Sequence, residues 1–331
     1  MILFSTKNSN LFRLFFIWLF ITISSNSFAV ITQMTEPWLR LQYSMKTMRM
    51  DPKGRHLAFT DSLNSGLYVL DLRTRSVYQA SSSSSIGKDY FWAPSGSYLF
   101  FKERKYAGKK KFLSTIYSYL SSEKKKYPLK THSGLISSLL FNESEKSLHY
   151  MDEAGKIYTQ RIFATHKEIQ DSKSQKQAAN HQGEWLMMNG QVYSLDRQNH
   201  VKKLAWDNDR SVSSYDLSKQ GDRLVVSTQT GKIYVVFQGQ EPKFIDFGQN
   251  PQWHPTNQNL LLYSGARRLG KVVYGYDLKI KDLDGESRWL TNTPHSQEQS
   301  PQWLSLSNRI VYTIDRTTDL FVMGFKSDGF K

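Results

Sequence analysis

The chain contains no cysteine in 331 residues. That excludes a disulfide framework, a thiol nucleophile, a cysteine-based metal site and a lipid anchor built on cysteine. Acidic residues are the scarcer charge, 29 Asp and Glu against 44 Lys and Arg, for a formal balance of +15. The wording of enzymes is missing as well. His56, His132, His149, His166, His181, His200, His254 and His295 include no pair two or four residues apart and no zinc-protease motif. There is no Gly-x-Ser-x-Gly elbow and no stretch left over for a hydrolase domain. No catalytic residue, resident metal or cofactor is expected.

Long apolar runs are also scarce, and the one that exists stands at the start. Lys7 and Arg13 precede Leu14-Phe15-Phe16-Ile17-Trp18-Leu19-Phe20-Ile21-Thr22-Ile23, a core too short for a comfortable bilayer span. Ser27-Phe28-Ala29 then places small residues at the −3 and −1 positions, so residues 1–29 read as a secretory signal peptide cleaved after Ala29. A retained membrane anchor is the alternative, disfavoured by the polar Ser24-Ser25-Asn26-Ser27 that follows at once. Cleavage leaves residues 30–331 as a single domain with a formal balance of +13 and no transmembrane anchor. The expected location is periplasmic or secreted, and 302 residues can fold from their own core without covalent staples.

What the rest of the chain does contain is a repeat. Pro251-Gln252-Trp253 returns 50 residues later as Pro301-Gln302-Trp303. Each triplet leads through a polar turn to an apolar run, Leu260-Leu261-Leu262-Tyr263 and Ile310-Val311-Tyr312-Thr313. The same strand, turn, strand grammar appears upstream. It starts at Ser44–Met50 with the turn Asp51-Pro52-Lys53-Gly54, returns at Tyr90-Phe91-Trp92-Ala93-Pro94-Ser95-Gly96, and is weaker near Ser138 and near Trp185. The Asn189-Gly190 step there is a strong hairpin signal. It is clear again from Tyr215. Units of about 42 residues made only of strands predict an all-β fold, a β-propeller of four-stranded antiparallel blades. Seven blades are expected, or six if the weak unit near Trp185 is an insertion. The last unit stops near Met323, one strand short, and the alternating Trp38–Tyr43 is predicted to supply that strand by pairing the two ends of the chain, which removes exposed edges.

The phrasing of the later units resembles that of the TolB-like propellers, the periplasmic component of the Tol envelope system. Blades of that family run from a tryptophan through a Ser-Pro-Asp-Gly-like turn to an apolar strand and a closing Asp-Gly hairpin before Leu-Thr. Trp289-Leu290-Thr291-Asn292-Thr293-Pro294, Ser300-Pro301-Gln302-Trp303 and Asp315-Arg316 carry the likeness, which extends over Asp216 to Met323. Asp-Gly turns are replaced by Pro52-Lys53-Gly54, Pro255-Thr256-Asn257 and Ser305-Leu306-Ser307. The repeats occupy the domain, so the resemblance implies the propeller module alone, without the α/β domain that precedes it in TolB and without the Tol role.

Candidate functional residues follow from charge. Lys102, Arg104, Lys105, Lys109, Lys110, Lys111, Lys124, Lys125, Lys126, Arg267 and Arg268 are expected in hairpin loops. There they would attract an acidic envelope protein, an anionic glycan or lipopolysaccharide phosphates. Nucleic acid suits the charge equally but not an exported protein. The leading expectation is a non-catalytic protein-binding scaffold of the envelope. The alternative is a metal-assisted hydrolase or lyase drawing on Asp89, Asp152, Asp216, Glu298 and Asp315 in a central channel. Trp92, Trp253 and Trp303 hold equivalent positions and are expected to pack neighbouring blades together; Trp206 and Trp289 lie nearer blade ends and are freer to serve a surface.

Overall fold

The computed structural model describes residues 37–42, 44–61, 66–86, 89–108, 111–142, 146–162, 184–195, 201–204, 211–293, 296–304 and 309–324. The signal peptide at residues 1–29, Lys109, Lys110 and Trp206 lie outside the described residues. Residues 32–331 form one compact unit, and it consists of strands and turns, with no helix among the described residues.

A short strand, β1 (Leu39–Arg40), comes first. The first repeat unit is the sheet β2 (Met45–Met50), β3 (His56–Asp61), β4 (Leu67–Asp71) and β5 (Ser76–Ser81). The second is β6 (Tyr90–Trp92), β7 (Tyr98–Tyr106), β8 (Phe112–Leu120) and β9 (Lys125–Ser133). Three strands each form the next two sheets: β10 (Leu140–Asn142), β11 (Ser147–Met151) and β12 (Ile157–Arg161), then β13 (Glu184–Met188), β14 (Gln191–Leu195) and β15 (Val201–Lys203). A seven-stranded sheet follows, β16 (Val212–Leu217), β17 (Arg223–Thr228), β18 (Lys232–Phe237), β19 (Lys243–Trp253), β20 (Leu260–Leu269), β21 (Val272–Asp282) and β22 (Ser287–Trp289). The last sheet holds β23 (Glu298–Leu304), β24 (Arg309–Ile314) and β25 (Asp319–Gly324), and its order is β1-β25-β24-β23. All pairs are antiparallel between chain neighbours, except that β1 pairs with β25, Leu39 opposite Leu320 and Arg40 opposite Asp319.

The alternation read from the sequence is what each strand uses. The turn after β2 is held by the Asp51 carboxylate, which accepts from the Arg55 N–H and contacts the His56 ring, while Gly54 supplies φ 64°. Asn189 and Gly190 both have positive φ, the requirement of a two-residue hairpin between paired Met188 and Gln191. One feature of the middle of the chain escaped the repeat wording. The outer strand of the unit beginning at β16 and the inner strand of the next are one continuous strand, β19, which pairs with β18 through Lys243–Phe247 and with β20 through Gly248–Trp253. The seven-stranded sheet is therefore two four-stranded ladders sharing β19. β15 was likewise absent from the expected strands.

Asn250 and Ser300, each just before the proline of the repeated triplet, adopt φ 50°, and both strands shift register there against their neighbours. These bulges turn each inner strand so that the following tryptophan enters the space between two sheets. Trp303 packs among Leu260, Leu262, Leu278 and Ile280 of the preceding ladder and Ile310, Tyr312 and Phe321 of its own. Trp253 does the same between Val225, Ile233 and Val235 on one side and Leu261 and Tyr263 on the other. Trp92 joins Ala58, Leu67 and Val69 to Leu99 and Phe101. Histidines of the preceding turn cover two of the rings, His56 stacked on Trp92 at 5.7 Å and His254 edge-on to Trp303 at 4.4 Å. Replacing Trp253 or Trp303 by alanine is expected to cost about 3–5 kcal/mol in chemical denaturation. Trp289→Ala, on a partly exposed outer strand, should cost far less, and equal losses would contradict the packing described.

Candidate functional site

The inner strands of successive ladders run in the same direction, and their side chains lace them together. Tyr90 donates its hydroxyl to the Thr47 carbonyl (2.9 Å) and Trp92 its indole N–H to the Arg49 carbonyl (3.0 Å), so β6 advances beside β2. Ser300 donates to the Lys46 carbonyl (3.0 Å), and the Gln302 amide oxygen accepts from the Met50 N–H (3.2 Å), placing β23 on the other side of β2. Asn250 donates to Ser300 Oγ (3.3 Å), and its own N–H is accepted by Ser214 Oγ (3.1 Å), which joins β23 to β19 and β19 to β16. Short polar side chains at these positions are what lets backbones approach around a common axis.

These strands surround a cavity of about 150 Å³ lined by Thr47, Arg49, Asp89, Tyr215, Gln252 and Gln302 among others. Arg49 crosses it. Its guanidinium donates to Asp216 Oδ1 (3.3 Å) and to the Tyr215 carbonyl (2.9 Å) and lies 5.2 Å from the Tyr215 ring, tying β2 to β16, strands that belong to different sheets. Asp216 Oδ2 accepts the Trp253 N–H at 2.8 Å. Burial is the largest influence on the Asp216 carboxyl and pushes it up to about 6, with Arg49 and the Trp253 N–H pulling the other way.

Two further charge clusters sit between ladders. Lys102, 1% exposed, donates to the carbonyls of Ile136 (2.9 Å) and Ser137 (2.8 Å) and pairs with Asp89 at 2.8 Å. Burial lowers the pKa of its ammonium, and Asp89 opposes that. Glu298, fully buried at the start of β23, accepts from Thr291 and Thr293 and faces Asp277, which is paired with Arg267. Burial raises the Glu298 carboxyl, whereas hydrogen bonds from Glu298, Thr293 and Arg267 hold Asp277 below the usual carboxylate range. Both acids lie within one hydrogen-bonded cluster with Thr291, Thr293 and Arg267.

The sequence-predicted basic residues are distributed differently from the expectation. Lys102, Arg104 and Lys105 lie on β7, Lys125 and Lys126 on β9, a strand the sequence reading did not foresee, and Arg267 and Arg268 on β20, not in loops. Lys102 is interior and is withdrawn from any solvent-facing basic surface, because its stem points between the second and third sheets. Arg104 shares Asp89 at 3.5 Å. Lys126 pairs with Glu103 at 2.5 Å and Lys124 donates to the Tyr78 hydroxyl at 2.7 Å. Arg267 stacks over Trp289 at 4.0 Å and Arg268 over Phe247 at 3.7 Å. Lys105, Lys111, Lys124 and Lys125 are exposed.

The five carboxylates weighed for a metal site do not converge. Asp89 lines the cavity and pairs with Lys102; Asp216 pairs with Arg49; Asp152 caps a turn through the Ala154 and Lys156 N–H groups; Glu298 is with Asp277; Asp315 is beside Arg316 at 3.6 Å. Among the described residues no three His, Asp or Glu side chains come together as a metal would require. The Arg49, Tyr215 and Asp216 cluster was not foreseen. Its signal was a lone arginine in the otherwise apolar alternation Met45-Lys46-Thr47-Met48-Arg49-Met50, which sequence could not match to an acid 167 residues away.

The sequence matches no protein-family model and no curated protein. Solved structures share the fold. The β-propeller domain of Cps50 (Swd1) from Myceliophteria thermophila aligns with a TM-score of 0.52 at 13% identity, over 88% of this chain and 99% of that one. TolB from Acinetobacter baumannii aligns at 0.46 and 14% identity, over 84% of this chain and 56% of that one. A putative TolB from Agrobacterium tumefaciens aligns at 0.47 and 15%, over 76% and 82%. The all-β architecture is that of a β-propeller.

The raised Asp216 carboxyl has a sign in stability. The folded state binds this proton up to about pH 6, the unfolded chain only to about 4, so between those values the group's contribution falls as pH rises. Asp216→Asn is expected to flatten the melting temperature against pH in that window, and an unchanged slope would refute the assignment.

Proposed function

We propose that the protein is an exported, non-catalytic propeller that binds another protein of the bacterial envelope at the mouth of its channel. The observation that carries the reading is the channel itself. Its inner strands are fixed by hydrogen bonds, it is crossed by the Arg49 to Asp216 pair, and it offers hydroxyls and amides from Thr47, Ser214, Asn250, Ser300 and Gln302 rather than a nucleophile beside a base. A rigid ring with adaptable polar groups at its mouth suits recognition of a partner's extended segment or loop.

The ring is proposed to have seven blades. Support comes from seven ladders, counting the shared β19 as two, and from the β1 to β25 pairing, by which the start of the domain completes the last ladder. Export rests on the signal-peptide pattern of residues 1–29, and the likeness of the repeat wording to TolB-like propellers favours the periplasm. The exposed Lys105, Lys111, Lys124 and Lys125 would steer the protein to anionic envelope material, with a salt dependence to match.

Crosslinking in intact cells followed by purification of the full chain should recover one specific envelope protein, and its yield should fall with Arg49→Glu while the melting temperature reports folding. Turnover of a glycan or lactone with no recovered partner would sink the proposal. Edman sequencing of the exported form should begin at Val30. Retention of residues 1–29 would show an anchor instead.

A further inference from the structure

Two hairpins reach beyond the inner strands of their ladders, the first accompanied by β9 as far as Leu113 opposite Ser133, the second by no outer strand past Leu278. β7 is paired by β6 only as far as Phe101, yet continues with β8 to the pair Tyr106 and Phe112. β20 is paired by β19 only from Leu261 to Gly265, yet continues with β21 through Ala266 and Tyr276 to the pair Leu269 and Val272. Both hairpins join the second and third strands of their ladders. The inner strands run parallel, so second-to-third hairpins leave the ring at the same face.

The two tips have the same chemistry. Leu269 is 80% exposed, Tyr274 and Tyr106 63% each, and Val272, Val273, Phe112 and Leu113 are exposed beside them. Large apolar side chains left this exposed gain nothing in water. In sequence Lys105 and the run Lys109-Lys110-Lys111 belong to one tip and Lys271 to the other, where Arg268 is half-buried against Phe247. Neither 104–113 nor 266–276 contains an acidic residue.

We propose that these two hairpin tips insert together into the interface of a lipid bilayer carrying anionic headgroups. Apolar side chains at the ends of the ribbons would enter the acyl boundary, with the tyrosines at headgroup level and the lysine heads turned back to the phosphates. A protein pocket is served by one compact anchor cluster. Apolar anchors divided between two tips on one face, each carrying lysine and free of acids, complement an extended anionic plane instead. Each insertion is weak alone, and the rigid ring makes the second intramolecular. This takes up the anionic-surface part of the proposed function and stands apart from its protein partner.

The test uses the full mature chain and vesicles alone, so its failure leaves the protein-partner reading untouched. Co-sedimentation should occur with phosphatidylcholine vesicles containing phosphatidylglycerol and weaken by at least about tenfold with pure phosphatidylcholine. The double variant Leu269→Asp, Val272→Asp should lose about tenfold or more in partitioning, and Lys105→Glu with Lys111→Glu a similar factor at low salt, with melting temperatures unchanged because all four sites are exposed. In Leu269→Trp, the increase in fluorescence quenching by acyl-chain-brominated over unbrominated anionic vesicles reports depth. No vesicle binding, binding unaffected by the Leu269 and Val272 changes, or adsorption with no such quenching would each overturn the proposal; the last would mean the basic surface only adsorbs a polyanion.

Discussion

Each sheet in this chain has two apolar faces, and a single three- or four-stranded ladder has no second layer of its own to cover them. Burial must come from the ladders on either side, through clusters in which every large residue has neighbours from two units. Trp92, Trp253 and Trp303 are placed in those seams by the strand geometry before them, and the seams in turn hold the inner strands at a fixed spacing. Everything functional in the molecule sits on that frame. The channel side chains are positioned by strands that cannot move independently, and the hairpins project from sheets that are already covered on both faces.

The buried charges follow the same geography. Arg49 with Asp216 joins two sheets, whereas Lys102 with Asp89 and Arg267 with Asp277 are pairs within one ladder that reach the next through the Ile136 and Ser137 carbonyls and through Glu298. A buried ion pair adds little net stability once desolvation is counted. Its effect here is to fix one register of one ladder against the next, since a slipped strand would strand a charge in the interior. The lysine that sequence placed on a basic surface, Lys102, is one of these buried groups, so it adds nothing to the charge available to solvent.

Exposed apolar side chains at the ends of two hairpins lie apart from the polar cavity between the inner strands. The channel mouth offers hydroxyls, amides and one neutralised guanidinium, suited to a directional contact. The hairpin face offers cations and aliphatic side chains without acids, suited to a surface that is extended and negative. A propeller can carry both because its hairpin ends tolerate sequence that the seams would reject.

Sequence by itself determined the repeat, and with it the all-β class, most of the strands, the Asn189-Gly190 turn and the packing role of the three equivalent tryptophans. All of these are set by patterns within a few residues or at one regular spacing. The long strand β19 was hidden because its two halves belong to different units, and β15 because Val201-Lys202-Lys203 has no apolar alternation. Only the tertiary structure decided that Arg49 meets Asp216, that Lys102 is interior while Lys105 is not, and that Glu298 joins Asp277 in one cluster through Thr291 and Thr293. Those outcomes depend on which side chains meet between separate ladders, and partners far apart in sequence leave no local mark on the chain.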